Sequence, residues 1–289
     1  MLSYVHAYHA GNHADILKHL TLSLILEHLC KKEKPFCVID THAGSGLYAL
    51  DDSRALKTGE AKTGVEKMIN SSVRYLKFFD IIQKYYEKSL YPGSPLIENM
   101  YLRPGDEQIL CELHPTAFEE LENCFYKRRK ECREKGLSFI EPALHKRDGY
   151  EFLKAVTPPK IKRGVCIVDP SFEDASDFEK CGEVISVVHK KWPAGIIALW
   201  YPLVEHRSSE ITMMKERISG SVEATEPKIL DIQMEIKRKE DMTGLASLYG
   251  SGMFIVNFPY QLDEEMKSVL PELSKILADT AGEWSVELR

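Results

Sequence analysis

The residues best suited to chemistry follow a short apolar run near the middle of this 289-residue sequence. Residues 164–168 have the composition of a strand buried on both faces of a parallel sheet. Pro170 has no N–H and disfavours helical geometry at Asp169, so the chain leaves the strand in an extended turn. The Asp169 carboxylate and the Pro170 carbonyl are adjacent acceptors for an –NH2 group, and the Phe172 ring could lie against a flat base. The alternative is an ordinary Asp-Pro turn with Phe172 packed in the core.

A second candidate is the glycine-containing segment after the apolar run at residues 36–40. Residues 44–49 fit Gly-x-Gly-x-x-Ala, the fingerprint of a dinucleotide site, which would imply a nicotinamide cofactor. That fingerprint also needs an acid at the end of the next strand, about 20 residues on. Glu60 stands at that distance but in no strand pattern, whereas Glu112 ends a strand pattern further along the chain. We therefore expect Glu112 to bind a ribose, and we disfavour a nicotinamide-dependent oxidoreductase.

Several histidines near the N-terminus raise the question of a metal site. His9 and His13 could share one face of a helix, because four residues separate them. No cysteine or second carboxylate nearby completes a ligand set. We therefore expect no metal.

The elements that must position these residues alternate between strand and helix patterns, which predicts an α/β fold with a mainly parallel sheet. Open sheets of this kind bind ligands at the carboxyl ends of their strands, where the acids above are expected. The last two strand patterns, residues 228–236 and 251–257, have no helix between them and should pair antiparallel. We predict a single domain over residues 1–289, with a helical insertion at residues 51–92 that caps the sheet.

The composition is that of a globular protein with a slight excess of acidic residues, with a net charge of −6. This charge argues against extended, sequence-independent binding to a nucleic-acid duplex, because the affinity of such binding comes from many phosphate contacts. Basic clusters at residues 127–130, 160–163 and 237–239 are either solvated faces or local RNA contacts. The seven cysteines include no Cys-x-x-Cys pair, which indicates a reducing compartment. The sequence has no long apolar span, so we expect a cytoplasmic protein that neither is secreted nor crosses a membrane.

Seven short motifs occur in one order along the chain, and together they resemble the bacterial 23S ribosomal RNA (adenine-N6)-methyltransferases of the RlmJ type. The motifs lie at residues 9–15, 40–44, 91–95, 112–115, 148–149, 169–170 and 198–202. The resemblance implies a Rossmann-like, seven-stranded class I methyltransferase sheet with an antiparallel terminal hairpin. It also implies S-adenosylmethionine as cofactor and one adenine of 23S ribosomal RNA as the target. The expected substrate is protein-free or early-assembly RNA, and the expected protein is a monomer without metal.

The resemblance also assigns roles to individual residues. It implies that S-adenosylmethionine is contacted by His19, His42, Gly44, Ser94, Glu112, Asp148, Gly149 and Asp169. It places Tyr4, His6 and Lys18 on the side of the site that receives the target adenine. Catalysis would depend on Asp169 and Pro170, which accept the two hydrogens of the adenine amine, and on Phe172, which stacks on the base.

Two positions depart from the family pattern, Asp-Pro-Pro-Tyr, because Ser171 and Phe172 stand where the second proline and the tyrosine are expected. Phe172 keeps the stacking face of the tyrosine, whereas Ser171 loses a ring that stiffens the turn. Three interpretations remain open: a slower enzyme, a paralogue with another target, or a non-catalytic relative that binds RNA and S-adenosylmethionine. An adenine-N6 DNA methyltransferase is a further alternative, since the same chemistry serves both nucleic acids.

Overall fold

A mixed sheet forms the centre of the computed structural model, which describes residues 4–71, 77–222, 228–242, 248–280 and 282–289. Within these ranges the strands are β1 (Cys37–Asp40), β2 (Leu47–Ala49), β3 (Leu90–Pro92), β4 (Glu107–Cys111), β5 (Ala143–His145), β6 (Gly164–Val168), β7 (Ile196–Val204), β8 (Ile229–Glu235), β9 (Leu248–Val256) and β10 (Glu283–Leu288). The main sheet has the order β10-β8-β9-β7-β6-β1-β4-β5, and β2 pairs separately with β3.

The strand directions confirm the predicted fold class. β5, β4, β1, β6 and β7 are parallel, so their carboxyl ends lie along one edge of the sheet. β9 runs antiparallel to both β7 and β8, which is the expected terminal hairpin. In addition to these seven strands the sheet carries an eighth, β10, antiparallel to β8. Trp284, Val286 and Leu288 alternate with polar residues in β10, and the strand covers an edge of β8 that would otherwise be open.

Helices cover both faces of the sheet. In the described residues they are α1 (His13–Cys30), α2 (Ser53–Thr58), α3 (Glu60–Thr63), α4 (Val65–Ile69), α5 (Lys77–Tyr86), α6 (Ser94–Tyr101), α7 (Pro115–Glu134), α8 (Gly149–Val156), α9 (Ser176–Lys191), α10 (Ser208–Ser219) and α11 (Leu262–Leu277). One core joins α1, α5, α6 and α11 to one face of the sheet, and a second joins α8, α9 and α10 to the other. Alternation along β1 supplies both cores, because Val38 points to the first and Ile39 to the second.

Helix α1 is buried on nearly all sides, with Ile16, Leu17 and Leu20 fully inaccessible to solvent. Such a helix has no polar face to leave in water. Its charged residues Asp15 and Lys18, 1% and 5% exposed, must therefore find partners inside the protein. α1 thus carries ionic groups to the carboxyl edge of the sheet.

The described residues of the segment 51–92, which are 51–71 and 77–92, form four helices, α2 to α5, and end in β3. β3 pairs with β2 in the small antiparallel sheet. The division of the chain into a single domain with an insertion at residues 51–92 stays a prediction. Among the described residues, no helix combines the length and the apolar character that crossing a lipid bilayer requires.

Candidate active site

One cavity of about 1590 Å³ opens at the carboxyl ends of the parallel strands. Its lining includes every residue to which a role was assigned above: Tyr4, His6, Lys18, His19, His42, Gly44, Ser94, Glu112, Asp148, Gly149, Asp169, Pro170 and Phe172. A single small-molecule pocket usually occupies about 300–1,000 Å³, so the space is large enough for two ligands side by side. The roles assigned to these residues stay predictions, but the structure brings the residues together in one cavity.

The turn after β6 is held by aromatic packing. Phe172 has φ +52°, which is rare for a bulky residue and marks local backbone strain. Its ring lies 4.5 Å from that of Phe178 and 6.0 Å from that of Trp200, and it is 9% exposed. Ser171 is exposed at the cavity. The ring of Phe172 is therefore fixed by its neighbours on β7 and α9, whatever stiffness residue 171 contributes.

Lys18 brings two carboxylates together across the cavity. Its Nζ donates to Asp169 Oδ2 at 2.5 Å and lies 2.9 Å from Asp15 Oδ1. Burial alone would lower the pKa of Lys18, but the two carboxylates outweigh it and raise that pKa above its ordinary value. Lys18 is therefore a fixed cation beside Asp169, whose side chain is 16% exposed.

Asp15 connects the N-terminal segment to this cation. Its Oδ2 lies 3.0 Å from Nε2 of His6 and accepts the N–H of Gly11 at 2.9 Å. The hydroxyl of Tyr4 lies 2.8 Å from Nδ1 of His6, which extends the chain of contacts outward. Burial opposes ionisation of Asp15, yet His6 and Lys18 hold its pKa well below the ordinary value.

Sequence reasoning missed the role of Asp15 as the centre of these contacts. The signal was present as an acid in the first turn of an otherwise apolar helix. His19 also differs from a simple ligand position, because its Nδ1 bonds the Tyr91 hydroxyl at 2.8 Å and its side chain is 1% exposed. Burial lowers the pKa of His19 to about 3, so the ring is neutral.

Glu112 follows β4 and is oriented by backbone donors. One oxygen accepts the N–H of Gly44 at 2.7 Å, and the other accepts the N–H of His114 at 2.7 Å. Each oxygen keeps a second lone pair that can accept a hydroxyl. A Cβ at Gly44 would stand 2.3 Å from the Tyr48 hydroxyl, so only glycine fits this close approach.

Asp148 and Gly149 begin α8 at the adjacent wall. The Asp148 carboxylate caps the helix by accepting the N–H of Glu151 at 2.9 Å. A Cβ at Gly149 would stand 2.2 Å from the Thr41 carbonyl oxygen, which explains the glycine. His42 lies between these elements, and burial lowers its pKa to about 4, so it too is neutral.

The residues proposed for a dinucleotide site and for a metal site are placed differently from what those two interpretations require. Glu60, the acid that a dinucleotide site would need, lies in α3 and contacts His9 at 2.8 Å and Asn12 at 2.9 Å. His9 precedes α1 and His13 begins it, so the two do not form the helical pair of a metal site. No cluster of three metal-ligating side chains occurs in the part of the chain that the structure describes.

In two of the three basic clusters some of the cations are paired with acids. On α7, Arg128, Arg129 and Lys130 each lie within salt-bridge distance of a glutamate. Lys237 and Arg238 have aspartate partners at 3.7 and 3.0 Å. Lys237 lines the cavity, whereas none of the α7 cations does.

Known proteins resemble this chain over nearly its whole length. The pattern of a family described as "Ribosomal RNA large subunit methyltransferase D, RlmJ" matches residues 33–289. Two proteins named "Ribosomal RNA large subunit methyltransferase J", from Haemophilus influenzae and Escherichia coli, are each 37% identical, covering 99% of this chain and 98% of the relative. A crystal structure of a Legionella pneumophila protein is 27% identical, with a TM-score of 0.82, covering 97% of this chain and 98% of that chain.

Proposed function

The chain belongs to the RlmJ family of ribosomal RNA large subunit methyltransferases, and from that premise we propose that it methylates N6 of one adenine in 23S ribosomal RNA. It is an S-adenosylmethionine-dependent methyltransferase of ribosomal RNA. The choice of adenine N6 is supported by the turn after β6, because Asp169 and Pro170 both line the cavity and their carboxylate and carbonyl groups are neighbouring acceptors along the chain. An exocyclic amine with two hydrogens matches that pair.

The cofactor would occupy the wall formed by the ends of β1 and β4 and the start of α8. Glu112 would accept the ribose hydroxyls, because its two oxygens are already oriented by the N–H groups of Gly44 and His114. Asp148 would accept the adenine amine of the cofactor beside Gly149, and His19, His42 and Ser94 would complete the contacts. The cavity supports this arrangement because the acceptors Glu112 and Asp148 both line it. When bound, S-adenosylmethionine supplies an electrophilic methyl group.

The target base would enter on the opposite side, under the N-terminal segment. A base buried in a helix cannot reach this depth, so the nucleotide must leave its stack. Phe172 offers a ring face, and Tyr4 and His6 line the entrance. Tyr4 and His6 are linked to Asp15, so the entrance is anchored to α1.

Asp169 would perform the proton chemistry. Lys18 donates to Oδ2, so we assign Oδ1 to the adenine amine, with the Pro170 carbonyl accepting the second hydrogen. As N6 gains the methyl group it becomes positively charged and must release one proton, which Asp169 accepts. Until that proton is transferred, Lys18 holds the carboxylate in place, because Asp15 and Asp169 keep its ammonium charged.

The direct test is radiolabelled methyl transfer to three substrates side by side: protein-free large-subunit RNA, assembled large subunits and adenine-rich duplex DNA. We expect label in the protein-free RNA, recovered as N6-methyladenosine after digestion to nucleosides. Preference for the duplex would refute the RNA target, and preference for assembled subunits would refute the early-assembly substrate. Titration calorimetry should detect S-adenosylmethionine and not NAD.

We also propose that the protein acts as a monomer in the cytoplasm. Sedimentation equilibrium of the purified protein tests this, and a stable dimer would contradict it.

A further inference from the structure

Two buried carboxyl groups meet beneath the cavity. Asp40, which ends β1, and Glu98, in α6, are both fully inaccessible to solvent. The Asp40 carboxylate accepts the N–H of His42 at 3.0 Å and the hydroxyl of Ser94 at 2.7 Å. Glu98 accepts the side-chain amide of Gln108 through Oε2 at 2.9 Å. Its other oxygen, Oε1, is buried and receives no hydrogen bond from the described residues.

The unpaired oxygen of Glu98 has a partner only if the pair holds a proton. Glu98 stands one helical turn after Ser94 on the same face of α6, so its carboxyl group lies beside the Asp40 carboxylate that the Ser94 hydroxyl bonds. Two carboxylates only accept, so this contact is repulsive when both are ionised and a strong O–H···O bond when one is protonated. Burial raises the pKa of Asp40 to about 7, and burial together with the charge of Asp40 raises the pKa of Glu98 well above its ordinary value.

The charged groups near Asp40 and Glu98 do not neutralise the carboxyl pair in place of that proton. Lys18 favours the ionised form of Asp40, but it also binds Asp15 and Asp169, and Asp169 acts on Asp40 in the opposite direction. The other titratable neighbours are three thiols that stay neutral because burial raises their pKa values: Cys37, Cys111 and Cys166. One proton on the carboxyl pair therefore leaves a single negative charge beneath the cavity.

We propose that Glu98 is a protonated carboxylic acid in the folded protein at neutral pH and donates its hydrogen bond to the Asp40 carboxylate. Glu98 is then a positioning residue. It fixes the carboxylate that holds the Ser94 hydroxyl and the backbone of His42, both of which line the cavity. The proton is a property of the free protein, and only its consequence for cofactor binding rests on the proposed function.

Infrared spectroscopy of the ligand-free protein at neutral pH tests the proton directly. Glu98→Gln keeps the shape and the donor, because its amide can donate to Asp40 and accept from Gln108. We expect this substitution to remove one C=O stretching band of a protonated carboxylic acid. The matched control is Asp106→Asn, a buried carboxylate whose partners are the N–H donors of Arg103 and Phe36, which should remove no such band.

The wild-type protein alone provides the same test if a variant fails to fold. Its carboxylic acid band should persist well above the pH at which exposed glutamates ionise. Absence of that band at neutral pH overturns the proposal.

Stability against pH gives a second measurement. An acid whose pKa is raised on folding binds its proton more tightly in the folded state, so stability falls as pH rises from its unfolded pKa to its folded pKa. The unfolding equilibrium constants of wild type and Glu98→Gln should therefore diverge by up to roughly tenfold per pH unit in that window, with the variant favoured at higher pH. If the stabilities of wild type and Glu98→Gln change with pH in parallel, the proposal of a shared proton is wrong.

Cofactor affinity separates the positioning role from a purely structural one. We expect Glu98→Ala to weaken S-adenosylmethionine binding in calorimetry and to raise KM for the cofactor more than it lowers kcat. Glu98→Gln should recover most of that loss. If both variants bind the cofactor like wild type, the positioning role is wrong, whereas failure of the proposed RNA target would leave these results unchanged.

Discussion

Two buried lysine–aspartate clusters stand out among the residues that the structure describes, and they differ in the sign of their surplus charge. The active-site ion cluster contains His6, Asp15, Lys18 and Asp169, with one ammonium between two carboxylates. The C-terminal ion cluster contains Tyr201, Lys215, Asp231 and Arg289, with one carboxylate between two cations. Lys18 and Lys215 are equally buried, each with a side chain 6% exposed.

The surplus charge reverses the effect of burial on the lysines. Burial lowers the pKa of Lys215, and Arg289 beside it adds to that effect despite the attraction of Asp231. For Lys18 the two carboxylates outweigh burial, and its pKa is raised. A buried ion pair by itself therefore does not mark a functional site.

The two ion clusters also differ in whether they reach the cavity. Asp231 is 0% exposed and none of its cluster lines the cavity, so the partners of its carboxylate lie within the protein. Asp169 is partly exposed at the cavity and has lone pairs that Lys18 does not use. A surplus of acceptors facing open space is what a substrate amine requires, whereas the carboxylate of the C-terminal ion cluster is already bound by donors of the fold itself.

The largest effect on methyl transfer should come from substituting Asp169, the partly exposed acceptor. We expect Asp169→Ala to lower methyl transfer by about 10³-fold or more, because the charge of the transition state loses its counter-charge. S-adenosylmethionine affinity should fall only modestly. Radiolabelled transfer and calorimetry measure the two effects, and near-normal turnover would mean that the reaction occurs elsewhere.

Matched lysine substitutions separate the clusters most directly. Lys215→Met should cost about 3 kcal/mol in the free energy of unfolding, because it disrupts a buried pair. Turnover per folded molecule should hardly change. Lys18→Met should instead lower turnover strongly, since Asp169 loses the group that orients it. Urea unfolding and single-turnover assays on both variants would contradict the comparison if the two lysines behaved alike.

The contact between His9 and Glu60 should make the N-terminal segment sensitive to pH. Hydrogen bonding to Glu60 raises the pKa of His9, and the contacts of Glu60 with His9 and Asn12 outweigh burial and lower its pKa. The contribution of His9 is full below its ordinary pKa of 6.5 and is lost as pH rises through its raised value. That of Glu60 is full above 4.5 and is lost as pH falls through its lowered value. Protection of the segment from hydrogen exchange, relative to the intrinsic rate, should be greatest between these limits, and the His9→Asn variant should remove the loss of protection on the alkaline side.

The smallest effect on turnover should come from a substitution in the turn after β6. Ser171→Pro should keep or raise turnover, with a gain of about 0.4–1 kcal/mol in stability, because proline restricts the unfolded chain. Aromatic packing already fixes Phe172. A large loss of transfer would show that Ser171 has its own role, and activity appearing only in the variant would indicate a lapsed enzyme.

The sequence by itself determined the fold class and the position of most candidate residues along the sheet. Asp169 and Glu112 each follow an apolar strand pattern, and the carboxyl ends of parallel strands share one edge. The antiparallel terminal hairpin followed from the missing helix between the last two strand patterns. These inferences succeed because strand periodicity and connection order are local properties of the chain.

Only the tertiary structure decided which charges meet. Lys18 and Asp169 are 151 residues apart, and nothing in either local pattern indicates their contact. Asp15, Glu98 and Asp231 each lie in a segment whose apolar pattern predicts burial but not the identity of the partner. Ion pairing inside a protein depends on how a buried helix is rotated and seated against the sheet, and that is fixed by the packing of the whole core rather than by neighbouring residues.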